Sequence, residues 1–315
     1  MIIALDIGGA NLKVAVADDR GVKEFSHYFP FWKKRDSFEN FLGEKIGGFL
    51  PADKVRVTMT AELADCYRTR DEGVKHILGC VRNVVPNFEV LSVDGKLLSI
   101  EEASSNPYKV ASANWVATSL WIAKRLGTGI LVDVGSTTTD VIPVKDGKIV
   151  AKGKSDLERL QNSELLYYGI LRTNVATITD EIPVNGIPTP VSSERFAVTA
   201  DVYRILGDIP EEGYACETPD GKGRGIEDCM ARIARVVCSD TNELDGKQIT
   251  EIAKFIKNKQ IEKISDSISN ISKREGINNA FVCGSGAFLA GEAAGRVGIS
   301  AMRVEISPAR ALLEL

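Results

Sequence analysis

Two short glycine-containing turns in this chain carry residue types that bind phosphate. The first lies in LDIGGANLKVAV (residues 5–16), and the second lies in VDVGSTTTDVIP (residues 132–143). In each stretch an aspartate ends an apolar run, small residues follow, and a second apolar run returns. Glycine lets the main chain approach an anion closely, and successive N–H groups in such a turn can surround phosphate oxygens. Two matched copies in one chain therefore predict one phosphate-binding cleft between two related domains, and the alternative is two unrelated β-hairpins.

The aspartates at the two strand ends are candidate metal ligands. A carboxylate repels phosphate directly, so Asp6 and Asp133 would act by holding Mg²⁺, directly or through water, beside the phosphate. Capping of the turns through backbone N–H groups is compatible with this role. We expect these small residues to contact phosphate oxygens: Gly8, Gly9, Asn11, Gly135, Ser136, Thr137 and Thr138. Lys13 is a further candidate phosphate ligand and Asp140 a further candidate site residue, although each is equally well explained as a hairpin surface charge.

A third glycine-rich turn and a charged segment extend the set of candidates. The turn lies in FVCGSGAFL (residues 281–289), where Gly284, Ser285 and Gly286 follow a predicted buried strand and precede a predicted helix. The charged segment is MTAELADCYRTRDEGVK (residues 59–75). It follows another predicted strand, and ligands of open α/β sheets bind at such strand ends.

The charged segment has two interpretations. In the first, Arg68, Arg70 and Lys75 bind a phosphorylated ligand, because arginine and lysine side chains donate charged hydrogen bonds to phosphate. Glu62 or Asp65 would then hold an ammonium group or accept a proton. In the second, the segment is a solvated helix with ion pairs three and four residues apart, which physical reasoning alone slightly favours.

The elements that position these residues can be predicted from apolar patterning. Residues 2–6, 12–17 and 22–29 predict a three-strand meander, followed by a helix and then a strand at 55–60, which gives a β-β-β-α-β unit. Asp36 with Glu39 and Ser155 with Glu158 predict capping boxes at two helix starts. A helix is predicted at 193–206. We expect one domain at residues 1–110 and a second at 111–315, with a last helix at 307–315 that packs on the first domain.

Composition limits the function classes. The chain has 315 residues, 44% of them hydrophobic and 26% charged, with a net charge of −4, which argues against a nucleic-acid surface. No apolar run is long enough to cross a membrane, and the chain enters a strand directly without a basic leader, so we expect a cytoplasmic protein. The six cysteines form no CxxC pair and there are two histidines, which disfavours a zinc site or a Ser-His-Asp mechanism. Monomer and homodimer both remain open.

The two turns resemble the phosphate loops of the superfamily of sugar kinases, actin and heat-shock chaperone ATPases. That resemblance implies an α/β fold with two actin/sugar-kinase-like (ribonuclease H-like) domains around a central cleft, and the third turn would lie where that superfamily binds adenosine. The segments at residues 7–13, 60–75 and 197–207 resemble more specifically the hydantoinase/oxoprolinase-like family. Fold alone does not fix activity, because the superfamily includes kinases, chaperones and filaments.

The family includes ether-forming transferases of methanofuran biosynthesis in methanogenic archaea, a branch of one-carbon metabolism. The resemblance implies that 5-(aminomethyl)-3-furanmethanol diphosphate condenses with γ-glutamyltyramine to an aryl ether, releasing diphosphate through a furan-stabilised carbocation. It implies Mg²⁺ on Asp6 and Asp133. Lys75 would contact the leaving group or lower the pKa of the phenol. Asp140 would accept the phenolic proton or hold the aminomethyl ammonium. The alternative for Asp140 is a hairpin surface charge, and the alternative for Lys75 is a surface ion pair.

Three other functions are weighed against this one. A kinase of the same superfamily would bind ATP at the third turn and release ADP. A non-catalytic nucleotide- or phosphate-sensing module would bind at the same loops without turnover. A hydrolase of cyclic amides is least favoured, because the chain lacks a histidine cluster and, at this length, the extra domains of oxoprolinase.

Overall fold

The chain passes twice from a first structural unit into a second and back again. In the computed structural model, which describes residues 1–315, the first unit comprises residues 1–129, 142–162 and 305–315, and the second comprises 130–141 and 163–304. The boundary predicted at residue 110 therefore lies within the first unit. The reason is tertiary: the helix that follows this boundary packs against the C-terminal helix, which itself lies on the N-terminal sheet.

A six-stranded sheet forms the centre of the first unit. Its strands are β1 (Ile2–Ile7), β2 (Asn11–Asp18), β3 (Gly21–Tyr28), β4 (Lys54–Met59), β5 (Glu89–Leu91) and β6 (Leu97–Leu98). The order is β3-β2-β1-β4-β5-β6. Strands β1 and β2 pair antiparallel and β1 and β4 pair parallel, which confirms the predicted meander and the strand after it. Residues 3–7 of β1 are all buried, as expected for a central strand covered on both faces.

The helices of the first unit are α1 (Phe31–Lys34), α2 (Phe38–Ile46), α3 (Arg70–Val84), α4 (Ile100–Ser105), α5 (Asn114–Arg125), α6 (Asp156–Gln161) and α11 (Pro308–Leu313). The C-terminal helix α11 packs on β1, β2 and α5. Arg56 of β4 holds it there, because its buried guanidinium donates to the carbonyls of Leu312 and Leu313 at 3.1 and 2.9 Å. These carbonyls are at the end of the helix, where intrahelical partners are lacking.

A second sheet has the order β10-β8-β7-β13-β14, and β9 pairs with β8. Its strands are β7 (Gly129–Val134), β8 (Thr139–Lys145), β9 (Lys148–Ile149), β10 (Leu165–Leu166), β13 (Asn279–Cys283) and β14 (Ser300–Arg303). A separate hairpin joins β11 (Glu181–Val184) to β12 (Ile187–Pro190). The helices of the second unit are α7 (Thr199–Ile205), α8 (Ile226–Arg235), α9 (Gly246–Glu275) and α10 (Ala287–Arg296). No helix combines the length and the apolarity that a bilayer span requires.

The predicted helix starts were partly confirmed by the structure. The capping box of Ser155 with Glu158 is present at the start of α6. The box predicted at Asp36 is wrong, because residues 35–37 form a turn of 3-10 helix and α2 begins at Phe38 without a side-chain cap. The helix predicted at 193–206 begins only at Thr199, where Asp201 accepts a hydrogen bond from the Val198 N–H.

Candidate functional site

The first phosphate loop is the turn between β1 and β2. The Gly8 N–H donates to the Asn11 carbonyl at 2.9 Å, which closes the turn. A Cβ on Gly8 would lie 3.0 Å from that carbonyl oxygen, so a larger residue would crowd the turn, whereas Gly9 has open space on its Cβ side. The carbonyls of Gly9 and Ala10 accept from the N–H groups of Phe31 and Phe29 at 3.0 and 2.9 Å, which fixes the turn to the start of α1.

Asp6 and Lys13 face each other across this hairpin. They are register partners in β1 and β2, and Lys13 Nζ lies 3.5 Å from Asp6 Oδ2. The Asp6 side chain is almost fully buried, whereas the Lys13 side chain is about two-fifths exposed. Lys13 therefore balances the charge of a buried carboxylate at the end of a strand and directs its ammonium group along the same face.

The second loop repeats the closure of the first. The Gly135 N–H donates to the Thr138 carbonyl at 2.9 Å, the same three-residue spacing and length as the bond from Gly8 to Asn11. Ser136 and Thr137 present hydroxyl groups 3.4 Å apart on a partly exposed turn. Sequence reasoning found these two loops as matched copies, and their backbone geometry agrees.

A short segment at residues 169–172 braces the second loop. The Ile170 N–H donates to Gly135 O, and the N–H groups of Leu171 and Arg172 both donate to Ser136 O, each at 3.0 Å. Gly169 lies so close to the loop that a Cβ would come within 2.4 Å of the carbonyl carbon of Ser136. Real Cβ atoms do not make such contacts, so Gly169 allows the brace and the loop to meet.

Residues of α7 and α9 hold the brace itself. The Gly169 carbonyl accepts from Thr199 Oγ1 at 2.9 Å and from Gln260 Nε2 at 3.1 Å. The Tyr203 hydroxyl donates to Gln260 Oε1 at 2.8 Å, and all three side chains are fully buried. Sequence reasoning missed this function. The segment at 197–207 carried a signal through its family resemblance, but Gly169 and Gln260 carried none.

The third turn packs directly on the end of β7. Cys283 is the register partner of Asp133, and Gly284 follows with a φ of +81°. A Cβ on Gly284 would lie 2.3 Å from Asp133 Oδ1, and one on Gly286 would lie 2.5 Å from Val134 Cγ1. The glycines thus bring this turn against the Asp133 carboxylate, and Ser285 is exposed at its tip.

Magnesium ligation requires oxygen donors, and in this structure the candidate carboxylates do not form a cluster. No group of three or more histidine, cysteine, aspartate or glutamate side chains is close enough to hold a metal ion. Mg²⁺ keeps several waters and is commonly held by one or two carboxylates together with substrate phosphates, so the carboxylates of Asp6 and of Asp133 are each of the type that it prefers. Asp140 lies further along β8, buried and opposite Leu165 of β10.

The cations of the charged segment have different surroundings. Lys75 is exposed on α3 and its Nζ lies 2.9 Å from Asp71 Oδ2, an ion pair across one turn. The Arg68 side chain is exposed, and its backbone N–H donates to Glu72. Arg70 is different, because its guanidinium is mostly buried and Nη2 donates to Asp156 Oδ2 of α6 at 2.6 Å. Asp65 is exposed.

Glu62 is the most perturbed carboxyl group of this segment. It lies in a short 3-10 helix at residues 61–63 and is fully buried. Burial raises its pKa to about 7, and its Oε1 lies 2.7 Å from the Ser112 hydroxyl oxygen. Gly73 of α3 packs against the Glu62 backbone, where a Cβ would come within 2.5 Å of the Glu62 carbonyl oxygen.

Solved structures define the fold class. A ROK family glucokinase from Streptomyces griseus, in complex with glucose and AMPPNP, gives a TM-score of 0.51 at 14% identity, covering 99% of this chain and 96% of that chain. An acetone carboxylase chain gives a TM-score of 0.50 at 12% identity, covering 91% of this chain and 49% of that longer chain. Likeness at these identities shows the fold alone. It confirms the predicted α/β fold of the actin and sugar-kinase type.

Sequence comparison identifies the family within this fold class. The model of the family described as hydantoinase/oxoprolinase matches residues 53–311. The chain is 42% identical over 289 residues, 91% of this chain and 86% of the relative, to the (4-{4-[2-(γ-L-glutamylamino)ethyl]phenoxymethyl}furan-2-yl)methanamine synthase of Methanocaldococcus jannaschii. A protein of the same name from Methanococcus vannielii is 43% identical over 157 residues, which are 50% of this chain and 70% of that protein. The chain belongs to the hydantoinase/oxoprolinase family.

Proposed function

We propose that this chain is the synthase that forms the aryl ether of a methanofuran precursor. The observation that carries the proposal is the 42% identity to the M. jannaschii synthase over 91% of the chain. The phenoxymethyl-furan in the name of that relative is an ether between a phenol and a furanmethyl carbon. We assign 5-(aminomethyl)-3-furanmethanol diphosphate and γ-glutamyltyramine as the two substrates, and a transferase reaction that releases diphosphate.

The chemistry requires a good leaving group and a protected carbon. The C–O bond to diphosphate breaks with both electrons moving to the leaving group, and the electron-rich furan ring spreads the positive charge. The phenol oxygen then bonds to this carbon and the phenolic proton leaves. The protein must stabilise the departing diphosphate, orient the phenol and keep water away from the cation.

The two phosphate loops support the first of these tasks. We assign phosphate contacts to the loop residues Gly8, Gly9, Asn11, Gly135, Ser136, Thr137 and Thr138, with Lys13 and Arg70 as cationic neighbours. Backbone N–H groups in fixed turns are preorganised for developing negative charge, because they do not have to reorient during the reaction. Bound at Asp6 and Asp133, Mg²⁺ would neutralise part of the diphosphate charge.

The remaining assignments follow the family resemblance. Arg68, Ser285 and the glycines beside Ser285 are assigned to substrate binding. Lys75 would contact the leaving group or lower the pKa of the phenol, after its ammonium group exchanges Asp71 for substrate. Asp140 would accept the phenolic proton or hold the aminomethyl ammonium group.

The proposal is tested with purified protein, the two substrates and Mg²⁺, using mass spectrometry to detect products. We expect an ether product and diphosphate in equal amounts, independent of ATP. A parallel reaction with ATP and γ-glutamyltyramine, but no furan diphosphate, is the control for kinase activity. Absence of the ether together with ADP formation in this control would replace the synthase with a kinase.

The magnesium assignment is tested at the two strand-end carboxylates. Asp6→Asn and Asp133→Asn should each lower kcat/KM by about 100-fold, because a lost metal ligand removes several kcal/mol of stabilisation from the leaving group. Asp19→Asn, in the exposed turn between β2 and β3, is the matched control and should retain activity. Full activity of both variants, with no loss in EDTA, would contradict the metal site.

A further inference from the structure

A buried line of polar groups connects Glu62 to Arg70 within the first unit. Ser112 Oγ lies 2.7 Å from Glu62 Oε1 and 2.9 Å from Asp156 Oδ2. Asp156 accepts hydrogen bonds from Arg70 Nη2 at 2.6 Å and from Arg159 Nη2 at 2.7 Å. Ser112 adopts a φ of +50°, a conformation that is uncommon for a residue other than glycine. The surrounding structure therefore holds the Ser112 hydroxyl between the two carboxyl groups.

The number of hydrogens available among these hydrogen-bonded groups determines the protonation state of Glu62. A hydroxyl group has one hydrogen to donate, so Ser112 can donate to one of its two carboxyl neighbours only. The other carboxyl group must donate its own hydrogen to Ser112. Asp156 is ionised, because two arginines donate to it, and it accepts the Ser112 hydrogen. Glu62 is therefore the neutral acid and donates to Ser112.

The remaining surroundings of Glu62 agree with this state. Glu62 Oε2 is buried and has no hydrogen-bond partner, which a neutral carboxyl oxygen tolerates far better than a carboxylate does. The charged groups that act on Glu62 are Asp156 of α6, which opposes its ionisation, and Arg70 of α3, which favours it. Arg159 contacts the other oxygen of Asp156, Oδ1, and not the Oδ2 that Ser112 contacts.

Ionisation of Glu62 would rearrange the line. The Ser112 hydrogen would turn to the new carboxylate, and Asp156 would lose one of its donors. A second buried negative charge would also compete with Asp156 for the Arg70 guanidinium, since opposite charges attract strongly where water is excluded. The position of Arg70 thus depends on the proton on Glu62.

We propose that neutral Glu62 is a positioning residue that, through Ser112 and Asp156, fixes Arg70 for contact with the diphosphate group. This inference rests on the proposed function in one respect, the assignment of Arg70 to the diphosphate. The Arg70 guanidinium uses only Nη2 in the line, which leaves Nε and Nη1 as donors for a phosphate oxygen. Diphosphate then binds best to the protein in which Glu62 carries its proton.

Calorimetric titration with inorganic diphosphate tests this inference without any turnover. The titrations are run from pH 6.5 to 8.5 at constant MgCl₂ with wild type, Glu62→Gln and Glu101→Gln. Glutamine donates through its amide as the neutral acid does and does not ionise. Glu101, exposed on α4, is the matched acid-to-amide control.

Diphosphate itself ionises over this pH range. This changes the affinity of wild type and of Glu62→Gln equally, so comparing the two proteins at each pH cancels the effect. We expect both proteins to bind alike at pH 6.5. At pH 8.5 wild type should bind about thirtyfold more weakly than Glu62→Gln, because only about one in thirty molecules of a group that titrates near pH 7 is then neutral. Glu101→Gln should follow wild type throughout. Ser112→Ala should bind weakly at every pH, since it interrupts the line.

Two results would overturn the inference. Parallel pH profiles for wild type and Glu62→Gln would show that the Glu62 proton does not control diphosphate binding. Loss of binding by folded Glu62→Gln at pH 6.5 would show that the carboxylate, rather than the acid, is required. Failure of the proposed function has a different signature: the pH-dependent difference in binding would persist, but no ether would form from the two substrates.

Discussion

Among single residues, the buried carboxyl groups differ in what neutralises them. Asp156, Glu164 and Asp201 each contact an arginine, at 2.6, 2.5 and 2.8 Å. Glu62 contacts a hydroxyl group instead, and burial raises its pKa to about 7. Burial also raises the pKa of Asp201, but there the contact with Arg232 opposes the rise directly. A group of this kind stores its proton in the folded state and releases it on unfolding.

This difference predicts a pH dependence of stability. An unfolded glutamate has a pKa near 4.5, whereas folded Glu62 has a pKa of about 7. The free energy of unfolding should therefore fall as pH rises from about 4.5 to about 7, and this contribution should be constant above that range. The total loss is about 3 kcal/mol, because moving a pKa by one pH unit corresponds to about 1.4 kcal/mol.

Urea denaturation at a series of pH values measures this effect. The difference in unfolding free energy between wild type and Glu62→Gln should shift by about 3 kcal/mol between pH 4 and pH 8. Glu101→Gln should show no such shift relative to wild type. A constant difference across the range would place the Glu62 pKa near its ordinary value.

At the scale of elements, the phosphate loops depend on what lies behind them. The second loop is fixed by the segment at 169–172, and this segment is fixed by α7 and α9. Gly169 is the closest point of contact, with room for a hydrogen but not for a methyl group. Loop geometry in the second unit is therefore set by residues that contact no phosphate.

Gly169→Ala should separate loop geometry from folding. The added methyl group must displace residues 136 and 137, so we expect kcat/KM to fall by about 100-fold, equivalent to about 2.7 kcal/mol of transition-state stabilisation. Gly291→Ala in α10 is the matched control, because nothing lies within 4 Å of its Cβ position. The control should keep activity and gain about 0.5–1 kcal/mol of stability, as expected for alanine in a helix. Unchanged activity of Gly169→Ala would contradict the bracing role.

The local turns of this architecture could be predicted from the sequence, whereas the long-range contacts behind them could not. The strand–turn–strand loops and the third turn were predictable because each is local and is marked by glycine beside apolar runs. The brace at Gly169 and the line from Glu62 to Arg70 were not, since their partners are 33 or more residues apart or lie in unrelated elements. Arg70 and Lys75 looked alike as cations, and only the position of Asp156 distinguishes them.

At the scale of the whole molecule, the first unit is assembled from three separate stretches of chain. The last of these carries α11, which Arg56 secures through two terminal carbonyls. Arg56 is buried and also lies 3.7 Å from Glu89. Arg125 contacts the residue that caps the C-terminus of this helix, through an exposed ion pair with Glu314 at 2.8 Å.

Arg56→Ala and Arg125→Ala should therefore have unequal effects. The first leaves two buried carbonyls without their donor, which should cost about 2–3 kcal/mol. The second removes a surface ion pair and should cost less than about 1 kcal/mol. Chemical denaturation gives both values, and hydrogen exchange should show faster exchange in α11 for Arg56→Ala alone. Equal costs would mean that packing, rather than the Arg56 hydrogen bonds, holds the helix.

The position of α11 in the first unit also has a consequence for how the protein is made. Ribosomes produce β1 first and α11 after every residue of the second unit, so β1 and β2 wait through most of synthesis for a helix that covers them. During that time their apolar faces are open to chaperones and to other nascent chains. All residues of the second unit, 130–141 and 163–304, are made before α11, so the first unit is the later of the two to have its complete chain.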